Sequence, residues 1–189
     1  MNFSEIEEYI PQKSEYMPSK QIYLARAGSI YKKIIDDENL NKIVTEIYLK
    51  GLELASPQLW HNIYEINKVP KEIIPSKFVG SKKLSIFLST LGERIDKEIE
   101  SLMERNKVLE GTLLDAWASE ALEKLNNTFD QKLRTKYGKG TMRFSPGYGD
   151  IDIRVNKIIV EMLNLTDKIM VRESGIMIPG KTTTCLIGW

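Results

Sequence analysis

Helical and strand-like runs that follow one another without regular alternation predict an α+β fold, a mainly antiparallel sheet covered by helices. A second observation supports it: the chain closes on two β-branched stretches, KIMVRES and TTTCLIG, with the turn pair Pro179-Gly180 between them. A third bounds its extent. The chain has 189 residues, 42% hydrophobic and 28% charged, which predicts one globular domain over residues 1–189 with a substantial core.

Taken in order, Ser4 to Glu7 fits a capping box and predicts a short helix through about Ile10, stopped by Pro11. Ile22, Ala25, Ile30 and Ile34 give an apolar stripe from Ser19 to about Ile35, interrupted by Gly28; Ile43, Ile47, Leu52 and Leu54 give a cleaner one from Asn41 to Ala55. Both predict helices. After Pro57, LWHNIYEI reads as an alternating strand with Trp60, Asn62, Tyr64 and Ile66 on one face and Leu59, His61, Ile63 and Glu65 on the other. Val69 to Lys83 reads as an extended linker or edge segment, and Ile86 to Gly92 as a buried strand. Ile95, Ile99 and Met103 mark a helix ending near Asn106. Leu114, Trp117, Ala121, Leu125, Phe129 and Leu133 mark a long one ending near Gly138, and the two sheathe one face of the sheet. A last helix is expected from about Ile151, carrying Val155, Ile158, Ile159 and Met162 inward, before the two final strands.

Charge and composition narrow the function. With 27 basic and 26 acidic side chains the formal charge is +1, which offers no field for nucleic acid or an anionic membrane. The acidic start, MNFSEIEEYI, and the absence of a run of roughly 18 apolar residues predict a cytoplasmic protein that does not enter the membrane. One cysteine and one histidine cannot make the usual Cys/His zinc site. Cys185 reads as a small core residue and His61 as a partly buried structural one.

Two stretches carry candidate chemistry. In RFSPGYGD, Arg143 to Asp150, Pro146 fixes its own φ while Gly147 and Gly149 permit sharp bends, so the loop is stiff at one point and tightly folded at the next. Arg143 brings a planar fork of N–H donors suited to a carboxylate, Phe144 and Ser145 lead to the turn, and Tyr148 adds an aromatic face with a hydroxyl. The positive end of the next helix points to the same place. An amino-acid carboxylate fits such a loop; equally, Arg143 can pin the loop to one of the protein's own acids. One helix later comes ESGIMIPG, Glu173 to Gly180. Glu173 reads either as a ligand contact or as the counterion that holds Arg143. The segment GIMIPGKT matches the phosphate-loop pattern G-x-x-x-x-G-K-[ST], but the run from Thr182 onward is β-branched and favours a strand, so Lys181 reads as a solvated turn lysine.

R-x-x-x-G-Y, a helix, and then E-S-x-x-M-x-P-G with a β-branched run resembles the S-adenosylmethionine-binding activation domain of cobalamin-dependent methionine synthase. The likeness is closest from Asp115 to Gly188 and extends back to Leu84 through IFLSTLGERID. The chain is considerably shorter than the activation domain of the full-length enzyme, and looks more like compact, separately encoded relatives. The resemblance implies that Arg143 binds the carboxylate of S-adenosylmethionine and that Glu123, on the long helix opposite the apolar stripe, approaches the ligand; read from its position alone, Glu123 is equally a solvated glutamate. Tyr137 stands where the full-length enzyme has a second acid, and that enzyme's ligand-contacting tyrosine pair falls beyond the position matching Trp189.

The resemblance further implies a reductive reactivation module, an accessory part of a methyltransferase system and not a self-sufficient enzyme. S-adenosylmethionine would be its ligand, and cobalamin would be carried by a partner, a methionine synthase or other corrinoid protein. Flavodoxin or a ferredoxin-type donor would supply the electron. The alternative is an interaction module that caps or stabilises a corrinoid protein without binding S-adenosylmethionine. A third reading, a nucleotide-hydrolysing activator, rests on GIMIPGKT alone.

Overall fold

A computed structural model describes residues 6–28, 34 and 36–189. Among them, four strands form one antiparallel sheet in the order β1-β2-β3-β6: β1 Glu7–Tyr9, β2 Gln58–Glu65, β3 Lys83–Thr90 and β6 Thr182–Gly188. Two further strands, β4 Met170–Val171 and β5 Met177–Ile178, pair as a separate ribbon. The helices are α1 Lys13–Tyr16, α2 Lys20–Arg26, α3 Glu38–Leu54, α4 Glu93–Glu104, α5 Val108–Tyr137 and α6 Asn156–Met162. The predicted α+β class, an antiparallel sheet with helices, is the class observed.

The sheet separates two cores, and strand alternation assigns residues to them. Leu59, Phe87, Cys185 and Ile187 face the helices, where they meet Tyr48, Leu91, Trp117, Ala121, Leu125 and Phe129. Trp60, Leu84, Ile86, Leu88 and Leu186 face the other way, onto a layer of turns and α6 that contributes Phe78, Phe144, Val155, Ile159 and Leu163. β3 is therefore covered on both faces, as its near-continuous apolar run predicts. The two faces read for β2 from alternation are the observed ones.

The helical layer is organised by α5, whose 30 residues extend for about 45 Å. Its buried positions recur at helical spacing through Leu114, Trp117, Ala118, Ala121, Leu125, Phe129 and Leu133. Trp117 lies flat against the backbone of α3, and a Cβ on Gly51 would come within 2.4 Å of the indole, so glycine is required there. α5 ends at Gly138, whose φ of +88° places it in the left-handed region that stops a helix.

Several expectations are corrected. The amino-terminal helix is instead β1, paired with Leu59 to His61; Ser4 lies outside the described residues. The helix expected from Ser19 ends at Arg26, and its inward residues are Tyr23 and Leu24, with Ile22 exposed; Ile30 lies outside the described residues. The tyrosine wins because its hydroxyl donates to the buried carbonyl of Val44 at 3.0 Å while its ring packs on Tyr48. Val69 to Lys83 is no edge: 3₁₀ turns at Lys71–Ile73 and Ser76–Phe78 bury Ile73 and Phe78 against the sheet. The helix expected from Ile151 begins at Asn156, after a 3₁₀ turn at Ile153–Val155. TTTCLIG is the expected strand, β6, lying against β3, but of KIMVRES only Met170–Val171 is strand, and it meets Met177–Ile178. Among the described residues no helix is long and apolar enough to cross a membrane.

His61 is fully buried, not partly, and joins three strands. Its Nε2 lies 3.0 Å from Ser85 Oγ, Ser85 Oγ accepts from Trp189 Nε1 at 2.9 Å, and Nδ1 faces Glu7 Oε2 at 3.4 Å. Burial holds the imidazole below its ordinary pKa, against the smaller opposing pull of Glu7 and with a minor contribution from Lys136. A depressed histidine pKa contributes stability that is complete above the unfolded value, about 6.5, and is lost as pH falls toward the folded one. The unfolding free energy from urea titration should therefore fall between pH 7.5 and pH 5.5, by no more than about 1.4 kcal/mol per pH unit from this group, and His61→Gln should flatten that slope. In the helical layer, Trp117→Ala should cost about 3–5 kcal/mol in urea unfolding.

Candidate ligand cavity at the edge of the sheet

The outer edge of β6 is closed by the segment that leads into the Arg143 loop. Phe144 N donates to Leu186 O at 2.9 Å and Leu186 N donates back to Phe144 O at 2.7 Å; Thr141 and Gly188 add a backbone bond at 2.9 Å. Residues 141–144 thus run as a short extra ladder on the sheet. Because side chains alternate along an extended segment, Phe144 enters the turn-side core beside Phe78. Its neighbours Arg143 and Ser145 point to the helical side, where Ser145 Oγ lies 3.7 Å from Cys185 Sγ. The aromatic anchor that buries Phe144, about 1.5–3 kcal/mol by apolar transfer, thereby sets the direction of the guanidinium.

Past Phe144 the chain folds tightly. Gly147 has φ +92°, its N–H donates to Ile151 O at 2.9 Å, and Ile151 N–H donates to Tyr148 O at 3.2 Å. Asp150 then clips the loop to the turn at Ser76, accepting from the Ser76 N–H at 2.8 Å, a bond that holds the Asp150 carboxyl below its ordinary range. Lys77 lies over the Phe144 ring, its Nζ 4.1 Å from the centroid.

Between this loop, α5 and β6 opens a cavity of about 510 Å³. Arg143, Phe144, Ser145, Pro146, Tyr148 and Glu123 all line it; Gly147 shapes the turn without lining it, and Glu173 is exposed and outside it. Arg143 is largely buried, with 15% of its side chain exposed, and Nη2 donates in a short bond to Glu123 Oε1, whose side chain is 47% exposed. Arg143 Nη1 is buried with no hydrogen-bond partner among the described residues. The counterion of Arg143 is therefore Glu123, not Glu173. Tyr148 is 71% exposed and stands at the rim.

Other wall residues escape the sequence reading. Asn126 is buried one turn beyond Glu123 and accepts from Ser89 Oγ at 2.6 Å. Asn156 accepts from Thr184 Oγ1 at 2.6 Å and donates to Gly175 O at 3.0 Å, tying α6, β6 and the Gly175 turn together. A signal for Asn126 is present: it sits four residues after Leu122 and three before Phe129, inside an apolar stripe. Asn156 offers none. Lys181 is not solvated: its Nζ donates to Asp115 Oδ1 at 2.7 Å and Ser119 Oγ at 2.9 Å. Thr182 opens a strand, so the phosphate-loop pattern lacks the helix its chemistry needs. Tyr137 packs on Trp189 and faces His61, away from this cavity.

The sequence matches no protein-family model and no curated protein. The fold matches a crystal structure of the MetH reactivation domain bound to AdoHcy, with a TM-score of 0.71 at 13% identity, over 99% of this chain and 79% of that one. At such an identity the likeness establishes the fold, and the resemblance read from the sequence holds at that level.

Cys185 lines the same cavity yet is buried, and burial pushes its thiol up to about 12. At pH 8 only about one part in ten thousand is thiolate. Iodoacetamide should leave Cys185 unmodified in the native protein and alkylate it fully in urea, as read by intact mass.

Proposed function

We propose that this chain is a reactivation module for a corrinoid methyltransferase, binding S-adenosylmethionine in the Arg143 cavity and presenting it to cobalamin carried by a partner. The observation that carries this reading is the guanidinium of Arg143, set in the wall of a cavity of ligand size with one donor nitrogen buried and unpaired. The fold supports it, because the matching structure is of a reactivation domain bound to AdoHcy. An unpaired buried donor costs about 1–3 kcal/mol. A ligand carboxylate that takes the place of Glu123 and accepts from Nη1 and Nη2 together recovers that cost, and the two-point bond also fixes which end of the ligand enters first.

Within this reading the ligand's sulfonium supplies the methyl group and the partner's cobalamin the reducible cobalt, with the electron drawn from flavodoxin or a ferredoxin-type donor. The chain's own residues bind and orient. Arg143 holds the carboxylate end, Glu123 lies within reach of the ammonium, and Tyr148 stands exposed at the open rim, where the methyl group must meet the partner. No general base is required, so the inert Cys185 and the distant His61 are no obstacle.

A second reading is favoured by two particular observations: Glu123 already occupies Arg143, and Tyr137 lies in a core contact with no acid in its place. In it the chain caps a corrinoid protein without binding S-adenosylmethionine. Calorimetric titration with S-adenosylmethionine and with S-adenosylhomocysteine, with and without a cobalamin-loaded methionine synthase, separates the two. The reactivation reading expects binding that Arg143→Ala weakens more than about tenfold with the thermal midpoint retained. Complex formation with no nucleoside binding in either setting selects the cap.

A further inference from the structure

The Arg143–Glu123 pair is a contact between two groups that a zwitterionic ligand head would each engage separately. Arg143 is held on the sheet edge by the Phe144 bridge and is largely buried. Glu123 sits on α5 with about half its side chain in solvent, free to swing on its own torsions. Among the described residues that line the cavity, the cationic side chain besides Arg143 is Lys77, and its ammonium rests on the Phe144 ring. Among those same residues Glu123 is the single acid. Any carboxylate entering to pair with Arg143 must therefore share or displace Glu123, and the fate of Glu123 afterwards depends on the rest of the ligand.

Resting on the reading of this cavity as an amino-acid site, we propose that the Arg143–Glu123 ion pair is a self-closing selectivity gate: it opens to ligands carrying both an α-carboxylate and an α-ammonium, and excludes those carrying a carboxylate alone. With a zwitterionic head the exchange is one for one. The guanidinium leaves a glutamate for the ligand carboxylate, and the glutamate leaves the guanidinium for the ligand ammonium, so charge pairing is conserved. With a bare carboxylate the exchange is incomplete: two carboxylates crowd one guanidinium, and like charges a few ångströms apart in a partly buried site repel. Glu123 then acts as a specificity residue through competition, a role separate from any grip it has on the bound ligand. Nη1 is buried as well as unpaired, so a carboxylate reaches it only once the Glu123 contact has opened.

The gate makes opposite predictions for two ligands in one variant. The probes are S-adenosylhomocysteine and its deaminated analogue, which keeps the carboxylate and lacks the amine, titrated calorimetrically into wild type and Glu123→Gln. Wild type should bind the deaminated analogue at least about tenfold more weakly than S-adenosylhomocysteine. Glu123→Gln should bind S-adenosylhomocysteine more weakly than wild type does but the deaminated analogue at least about threefold more tightly, so that the preference collapses. The position is half exposed on a helix surface, so the variant should fold, and an unchanged thermal midpoint checks that it has. Equal weakening of both ligands would show Glu123 to be a mere prop for Arg143, and unchanged affinity for both would show it to be a bystander; either overturns the gate while leaving the cavity assignment standing. Failure of wild type and variant alike to bind either ligand overturns both.

Discussion

Two backbone hydrogen bonds between Phe144 and Leu186 are the constraint on which the cavity depends. A sheet edge offers unpaired N–H and C=O groups that must be covered or left to water. This chain covers the outer edge of β6 with the approach to a loop, and the cover doubles as a mount. Once Phe144 is in register with Leu186, pleat geometry directs its ring to one core and the flanking Arg143 to the other side, toward α5. The guanidinium is thereby positioned by the sheet itself. Bends that favour glycine begin only beyond Ser145, where Gly147 and Gly149 take positive φ, and that stretch is clipped to Ser76 by Asp150.

The mount also explains why Arg143 can be both buried and incompletely paired. A guanidinium on a free loop would turn until all its donors met acceptors or water. Here the backbone is fixed, Ser145 and Cys185 occupy one flank, and Glu123 reaches Nη2 from the helix. Nη1 is left without a partner among the described residues. The cost, about 1–3 kcal/mol, is of the size that functional sites carry against their own stability, and the two cores on either side of the sheet supply the offset.

Much of this architecture is legible in the sequence where a period runs long enough to declare itself. α5 repeats its apolar positions along its whole length, and β2 alternates from end to end, so the faces of both follow from their residues. Short or non-local features do not declare themselves. β1 is three residues, Glu7 to Tyr9, with no alternation to detect, and it exists because β2 offers an edge. In α2 an isoleucine stripe points to Ile22, but tertiary packing chooses Tyr23 and Leu24. The partner of β6 cannot be read locally, since β3 lies far earlier in the chain. The RFSPGYGD loop is legible because proline and glycine carry their constraints with them wherever they fall. That Glu123 and not Glu173 meets Arg143 is beyond any local reading, for it depends on where α5 crosses the sheet edge.

The walls of the cavity show why it stays open. Asn126, Asn156, Thr182 and Thr184 are polar groups buried at a place where leucines would have filled the space, and each is tied down: Asn126 to Ser89, Thr182 to Thr90, and Asn156 to both Thr184 and Gly175. Satisfied polar posts resist collapse, since moving any of them inward breaks a buried hydrogen bond. Among the described side chains that line the cavity, the buried polar atom left without a partner is Nη1 of Arg143. A chamber held open by hydrogen-bonded polar posts, with a guanidinium in its wall that keeps one donor unpaired, favours an anionic group over an apolar one once the Glu123 contact opens.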